Sequence, residues 1–196
     1  MNEIEKVLSL FKTAEDWNSF VELSNMKEMM VRELKGRLLN EMRIIAESNL
    51  SGAGWKYDAK DDYISIVLQK HYSLSICIEW RHWSWYERGA GIWINHPEII
   101  LEKFIGKVNA NADLKGFLTA NGFHESRENA WYPFMKTIPA KVFFPKDSND
   151  SCRLVEECLF MAKQDAKGLA DNLWKEVFKP FVENKNVISM LVEVLQ

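Results

Sequence analysis

The chain has 196 residues, a formal net charge of −3 at pH 7 and a pI near 5.9. A chain of this length folds as one domain by default, and its acidic balance leaves a nucleic-acid partner possible but not favoured. No apolar run reaches the roughly 20 residues of a membrane span, and the first residues begin no export signal. We therefore expect a cytoplasmic protein without membrane contact, whose three cysteines, lacking a C-x-x-C pair, are reduced thiols.

Residues 1–50 are predicted to form helices that precede the sheet. Thr13 is a suitable N-cap for a short helix that carries Trp17 and Phe20. A longer helix is predicted from Ser24 to about Asn49, because apolar residues recur every three or four positions: Met26, Met30, Leu34, Leu38, Met42 and Ile45. This stripe favours packing on a sheet, with a coiled-coil dimer seam as the alternative.

Residues 54–140 are predicted to form a sheet region with an inserted helix. After a short strand beginning at Trp55, three strands follow between residues 62 and 94. Alternation places Ile64, Ile66 and Leu68 on one face of the first, and Leu74, Ile76, Ile78 and Trp80 on one face of the second. The opposite face of the second strand carries Ser75, Cys77, Glu79 and Arg81, and this polar face is the natural place for chemistry.

The remaining segments complete an α+β domain that spans residues 1–196. A helix is expected to open at His96-Pro97, and an aromatic strand over 130–138 is expected at a sheet edge because it contains Pro133. Residues 147–196 are predicted to be C-terminal helices, one over 154–162 and another ending at Pro180. The predicted core is therefore a central antiparallel β-meander of about four to five strands, with helices from both ends of the chain packed on it.

Tryptophan is the most distinctive feature of the composition, with eight residues in the chain. Such density either fills an aromatic core or forms a recognition surface. Five aromatic residues are candidates for that surface: Trp83, Trp85, Trp93, Trp131 and Tyr132. With no complete catalytic set in the sequence, we predict a non-catalytic binding module that uses an aromatic-rich sheet surface to bind a protein partner or a second copy of itself.

Asp62, Glu79 and Arg81 define an enzymatic alternative. Two carboxylates on adjacent strands, with a cation two residues after the second, can hold Mg²⁺ or Mn²⁺ and orient an attacking water. This arrangement resembles the motif of the PD-(D/E)XK nuclease superfamily, with Arg81 in place of the usual lysine. The resemblance implies a divergent metal-dependent nuclease in which Asp62 and Glu79 are the metal ligands.

A second resemblance covers three segments, residues 76–80, 87–94 and 128–134. Their aromatic and glycine positions are similar to those of the accessory C-terminal region of bacterial proteins that carry a PD-(D/E)XK domain at their N-terminus. The resemblance implies a sheet with helices, in a bacterial or phage-type protein that lacks the catalytic half. The four histidines are scattered, so no histidine-based metal cluster is expected.

Overall fold

Two helices, α1 (Glu3–Leu8) and α2 (Ala14–Asn49), precede the sheet. The computed structural model describes residues 3–60, 63–79, 89–95, 100–126, 131–143, 163 and 165–196. Helix α2 begins at the predicted cap, where Thr13 Oγ1 accepts a hydrogen bond from the Asp16 N–H and the Asp16 carboxylate accepts one from the Thr13 N–H. This reciprocal pair satisfies two amides that the helix itself leaves without acceptors.

The predicted break at Ser24 is wrong, since α2 continues through it without interruption. Serine and asparagine inside a helix cost only a fraction of a kcal/mol (about 0.5), too little to end it. Of the predicted apolar stripe, Leu38 and Met42 are buried, whereas Met26 and Met30 are exposed. The C-terminal half of α2 therefore packs on the domain, and its N-terminal half does not.

In the part of the chain that the structure describes, six strands form one antiparallel sheet, which confirms the predicted α+β class with helices packed on a sheet. The strands are β1 (Trp55–Lys60), β2 (Tyr63–Leu68), β3 (Leu74–Glu79), β4 (Gly89–Ile94), β5 (His124–Glu125) and β6 (Phe134–Thr137). Their order is β1-β2-β3-β4-β6-β5, so the first four make the predicted meander. The remaining two strands extend it beyond the expected four to five, and β5 is only two residues long.

The register gives the sheet two different faces. In β2 and β3 the described residues of the apolar face expected from alternation are all buried, and Ile64 pairs with Ile78 while Ile66 pairs with Ile76. Trp80, which was expected on the same face, lies outside the described residues. This inner face joins Leu38 and Met42 of α2 and the C-terminal helices in one hydrophobic core. The other face, called here the outer face, carries the polar and aromatic residues of the same strands.

The predicted edge position of the aromatic strand is wrong. Strand β6 lies between β4 and β5, and Pro133 stands one residue before its start. Because Pro133 lies outside the strand, its missing N–H removes no bond from the ladder, and its carbonyl accepts a hydrogen bond from the Ser126 N–H.

Two of the described helices lie between β4 and β5, α3 (Leu101–Ala110) and α4 (Ala112–Ala120). The helices described after β6 are α5 (Ala140–Phe143), α6 (Ala166–Leu173), α7 (Lys179–Glu183) and α8 (Lys185–Leu195). The predicted start at His96-Pro97 and the predicted helix over 154–162 lie outside the described residues. Helix α4 closes at Asn121-Gly122. Gly122 adopts a positive φ of 79°, and the Phe123 N–H donates to the Leu118 carbonyl, a Schellman arrangement.

The predicted stop at Pro180 is wrong as well. A π-helical segment, Trp174–Phe178, joins α6 to α7, and the helix passes through Pro180 to Glu183. In this wider turn the Lys179 N–H donates to the Trp174 carbonyl, five residues back. The proline, which lacks an N–H, therefore follows directly on a change in hydrogen-bond pattern, where a helix tolerates it. No helix in the described part of the chain is long and apolar enough to cross a membrane.

Candidate binding cleft on the outer face of the sheet

A cleft of about 520 Å³ lies on the outer face of the sheet, opposite the hydrophobic core. This volume falls within the range of small-molecule and side-chain pockets. Residues from four strands and two adjoining segments line it: Lys56, Asp58, Tyr63, Ser65, Val67, Tyr72, Ser75, Cys77, Trp93 and Tyr132. The cleft thus combines charged, hydroxyl and aromatic side chains on a rigid sheet.

One end of the cleft is polar and centred on Asp58. The Tyr63 hydroxyl donates to Asp58 Oδ2 at 2.7 Å, and the Ser65 hydroxyl donates to the Asp58 carbonyl at 3.1 Å. Desolvation by burial, and secondly the hydrogen bond to Asp58, raise the pKa of the Tyr63 phenol above its usual value of 10.0. Tyr63 therefore remains a neutral hydrogen-bond donor at physiological pH, and Asp58 and Lys56 present exposed charges beside it.

The floor of the cleft is formed by small buried side chains. Ser65, Ser75 and Cys77 are all buried on the outer face. The Tyr132 hydroxyl lies 3.8 Å from Cys77 Sγ, within the range of a weak hydrogen bond to sulfur. Across the sheet, the Tyr132 ring packs on Gly91, where a Cβ atom would collide with it. The glycine thus makes room for the aromatic wall.

Two tryptophans stand at the rim of the cleft. The rings of Trp93 and Trp131 are stacked, with centroids 6.5 Å apart and planes only 5° from parallel. The Ile94 N–H donates to the Trp131 carbonyl at 3.2 Å, which ties the Trp131 backbone to the end of β4. Trp131 is 50% exposed and Trp93 is half-buried. The pair offers a preorganised aromatic surface that water reaches.

The structure brings together three of the five predicted binding residues. Trp93 and Tyr132 line the cleft and Trp131 stacks on Trp93, whereas Trp83 and Trp85 lie outside the described residues.

The nuclease-like residues are only partly described. Asp62 and Arg81 lie outside the described residues, and of Glu79 the backbone alone is described, at the end of β3. Its partner on β2 is Tyr63, the residue that follows Asp62. Across the described residues, no group of three histidine, cysteine, aspartate or glutamate side chains is arranged to hold a metal ion.

Six lining residues belong neither to the predicted site nor to the predicted polar face: Lys56, Asp58, Tyr63, Ser65, Val67 and Tyr72. A signal for the first two exists in β1, where Trp55 and Tyr57 alternate with Lys56 and Asp58. Only the β1–β2 register, which pairs Asp58 with Ser65, shows that this polar face continues into the cleft.

The described lining of the cleft contains few charged groups. The described lining holds one carboxylate, already bound by the Tyr63 hydroxyl, and one lysine, together with aromatic and hydroxyl groups. Comparison of the chain with known protein families, with characterised proteins and with solved structures gave no significant match. The interpretation of the site therefore depends on its own geometry.

Proposed function

We propose that this domain is a non-catalytic binding module that recognises a protein partner through the cleft on the outer face of its sheet. The observation that carries the proposal is the stacked pair of Trp93 and Trp131 at the rim of an aromatic-lined cleft. Tryptophan and tyrosine dominate the energetically important residues of protein interfaces, because they bury a large area at a small cost in side-chain entropy. We expect the protein to act in the cytosol.

The form of the cleft favours a short peptide segment of the partner. An apolar or aromatic side chain of such a segment would enter between Tyr132 and Val67, and its backbone would meet the hydroxyl of Tyr63 and the charges of Lys56 and Asp58. A site lined with aromatic groups and a few fixed polar groups is typical of such pockets. Tyr63 is already held by a hydrogen bond and Trp93 by stacking, so binding would cost little side-chain entropy.

Selection of peptides from a random linear library displayed on phage would test the proposal. Enriched peptides would be synthesised, and their affinities for the wild-type protein, Trp131→Ala and Tyr72→Ala would be measured by calorimetry. We expect both variants to bind at least about tenfold more weakly, as for the loss of a central interface aromatic. Tyr72 is included because it lines the cleft away from the tryptophan pair.

Ile100→Ala is the matched control, because Ile100 is 68% exposed and does not line the cleft. Its affinity for the same peptides should equal that of the wild type. Failure to enrich any peptide, or equal losses in the cleft variants and the control, would reject the outer-face cleft as the binding site.

The enzymatic alternative, a metal-dependent nuclease that uses Asp62, Glu79 and Arg81 with Mg²⁺ or Mn²⁺, is favoured by one observation. Strands β2 and β3 are adjacent and antiparallel, so the start of β2 and the end of β3 lie at the same end of the sheet. Thermal unfolding of the wild type and Glu79→Ala with Mn²⁺ tests it, since a ligand at 100 times its Kd stabilises a fold by about 2.7 kcal/mol. Stabilisation by Mn²⁺ that Glu79→Ala abolishes would favour the nuclease, and no stabilisation of the wild type would reject it.

A further inference from the structure

The N-terminal half of α2 extends away from the domain. Every residue from 12 to 30 is exposed, and the first buried residue of the helix is Leu38. At 1.5 Å per residue, the segment 14–30, called here the α2 arm, is about 25 Å long. The C-terminal half packs on α6 and β1, where the Tyr57 hydroxyl donates to the Leu39 carbonyl at 3.3 Å. The helix is thus anchored at one end only.

The α2 arm exposes many large apolar side chains to water. Its exposed large apolar residues are Trp17, Phe20, Val21, Leu23, Met26, Met29 and Met30. Near its start, Trp17 and Phe20 form an aromatic cluster with Phe11, with centroids 4.9 to 6.0 Å apart. Contiguous exposed apolar surface of this kind marks a site of association.

Acidic and basic residues of α2 lie in separate segments, and this distribution indicates which partner binds the arm. Residues 14–26 contain three acidic residues (Glu15, Asp16 and Glu22) and no basic one, whereas residues 27–37 contain four basic residues (Lys27, Arg32, Lys35 and Arg37) and two acidic ones. Two parallel copies would place like charges together. Two antiparallel copies would place the acidic segment of each beside the basic segment of the other, which is favourable.

We propose that the α2 arm, together with the residues that follow it as far as Arg37, is the self-association surface of this protein, and that residues 14–37 pair with residues 14–37 of a second copy in an antiparallel, two-fold symmetric helix pair. The apolar residues around Phe20 and Met26 would be buried at the contact, and the two charge segments would set its direction. None of the residues of this surface lines the cleft on the sheet.

Sedimentation equilibrium over a range of protein concentrations tests the proposal. The wild type should be a dimer, and Phe20→Glu and Met26→Glu should each raise the dimer dissociation constant by about tenfold or more. Ile44→Glu is the matched control, because Ile44 is 50% exposed on the same helix but outside the arm, and it should leave the constant unchanged. A monomeric wild type, or an equal effect of the control, would overturn the proposal.

Charge reversal tests the antiparallel direction. Glu15→Lys with Glu22→Lys should weaken the dimer, Lys27→Glu with Lys35→Glu should weaken it likewise, and the fourfold variant should recover wild-type association. Circular dichroism at low concentration would verify that helix content is unchanged in each variant. Weak association of the fourfold variant, or stronger association of either twofold variant, would overturn the antiparallel arrangement.

Discussion

The ring of Tyr132 lies directly on Gly91, so closely that the sheet has no space for a Cβ atom at that position. The backbone of Gly91 does not adopt a positive φ, so the requirement for glycine is steric and comes from the Tyr132 side chain. The contact fixes one wall of the cleft against β4, next to the strand position that carries Trp93. A substitution at Gly91 or Tyr132 should therefore change both the stability of the domain and the shape of the cleft.

Gly91→Ala should destabilise the domain by about 1–3 kcal/mol, because the added methyl group displaces Tyr132 from a packed position. The destabilisation should be smaller in a Tyr132→Ala background, where the colliding ring is absent. Chemical denaturation of the four proteins in this cycle measures both effects. Gly116→Ala is the control, since nothing lies within 4 Å of that site in α4 and the change should stabilise the protein by about 0.5–1 kcal/mol. Equal costs in the two backgrounds would contradict the account.

The ion pair between the buried Lys136 and the partly exposed Glu176 should respond asymmetrically to substitution. Lys136 Nζ lies 2.6 Å from Glu176 Oε1 and donates to the Glu176 carbonyl at 2.8 Å, and the lysine is far more buried than the glutamate. Glu176→Gln should therefore cost about 1–3 kcal/mol, since it leaves a buried ammonium without its carboxylate. Lys136→Met should cost less, because the partly exposed Glu176 can be hydrated and the methionine fills the apolar site.

The double variant Lys136→Met/Glu176→Gln should cost less than the sum of the single changes. Urea denaturation of all four proteins gives the coupling free energy directly. A larger cost for Lys136→Met than for Glu176→Gln would show that packing of the lysine stem, rather than the charge, dominates at this site.

Tyr57 should ionise at a higher pH than a solvent-exposed tyrosine, and the stability of the domain should therefore fall at high pH. Burial raises the pKa of Tyr57 to about 12, against a minor opposing effect of Arg43. Because the folded-state pKa exceeds the unfolded value of about 10, the stabilising contribution is complete below pH 10 and is lost as the pH rises towards 12. Phenolate absorbance during an alkaline titration, compared between wild type and Tyr57→Phe, measures the shift. A Tyr57 that titrates near pH 10 in the folded protein would contradict this description.

The capping box at the start of α2 should control the order of the α2 arm rather than global stability. Thr13→Ala removes the acceptor of the Asp16 N–H, and the arm makes few contacts within its own chain that would hold it otherwise. Hydrogen exchange at residues 14–20 should accelerate, while exchange in β2 and β3 stays unchanged. Ser9→Ala, which removes a hydrogen bond to the Lys6 carbonyl in the preceding turn, is the control and should not alter exchange in α2. Slower or unchanged exchange in Thr13→Ala would contradict the prediction.

Acidic pH should weaken the hydrogen bonds that Asp16 accepts in the first turn of α2. Hydrogen bonds from the Lys12 N–H, and then from Thr13, lower the pKa of Asp16 below its usual 3.8. The stabilisation is therefore present above that value and is lost as the pH falls through the lowered pKa. The pKa of Asp16 measured by carbonyl NMR should be below 3.8, and a value at or above it would contradict the capping geometry.

Strong local patterns allowed part of this fold to be predicted from the sequence. The alternation that placed Ile64, Ile66 and Leu68 on one face predicted a strand, and Thr13 predicted a helix start, because each signal is complete within a few residues.

The errors arose where neighbouring structure overrides a local signal. Pro180 does not end its helix because the π-helical segment before it has already changed the hydrogen-bond pattern. Likewise, the role of Asp58 and Tyr63 in the cleft depends on the register of β1 against β2, which residue patterns do not specify.

The most direct test of the central claim is the ratio of peptide affinities between the wild type and Trp131→Ala, with Ile100→Ala measured in parallel. If the outer-face cleft and its tryptophan pair form the binding site, a selected peptide should bind Trp131→Ala at least about tenfold more weakly and Ile100→Ala as tightly as the wild type. Equal affinity of all three proteins for every selected peptide would contradict the account, because the exposed half of the stacked pair would then contribute nothing to recognition.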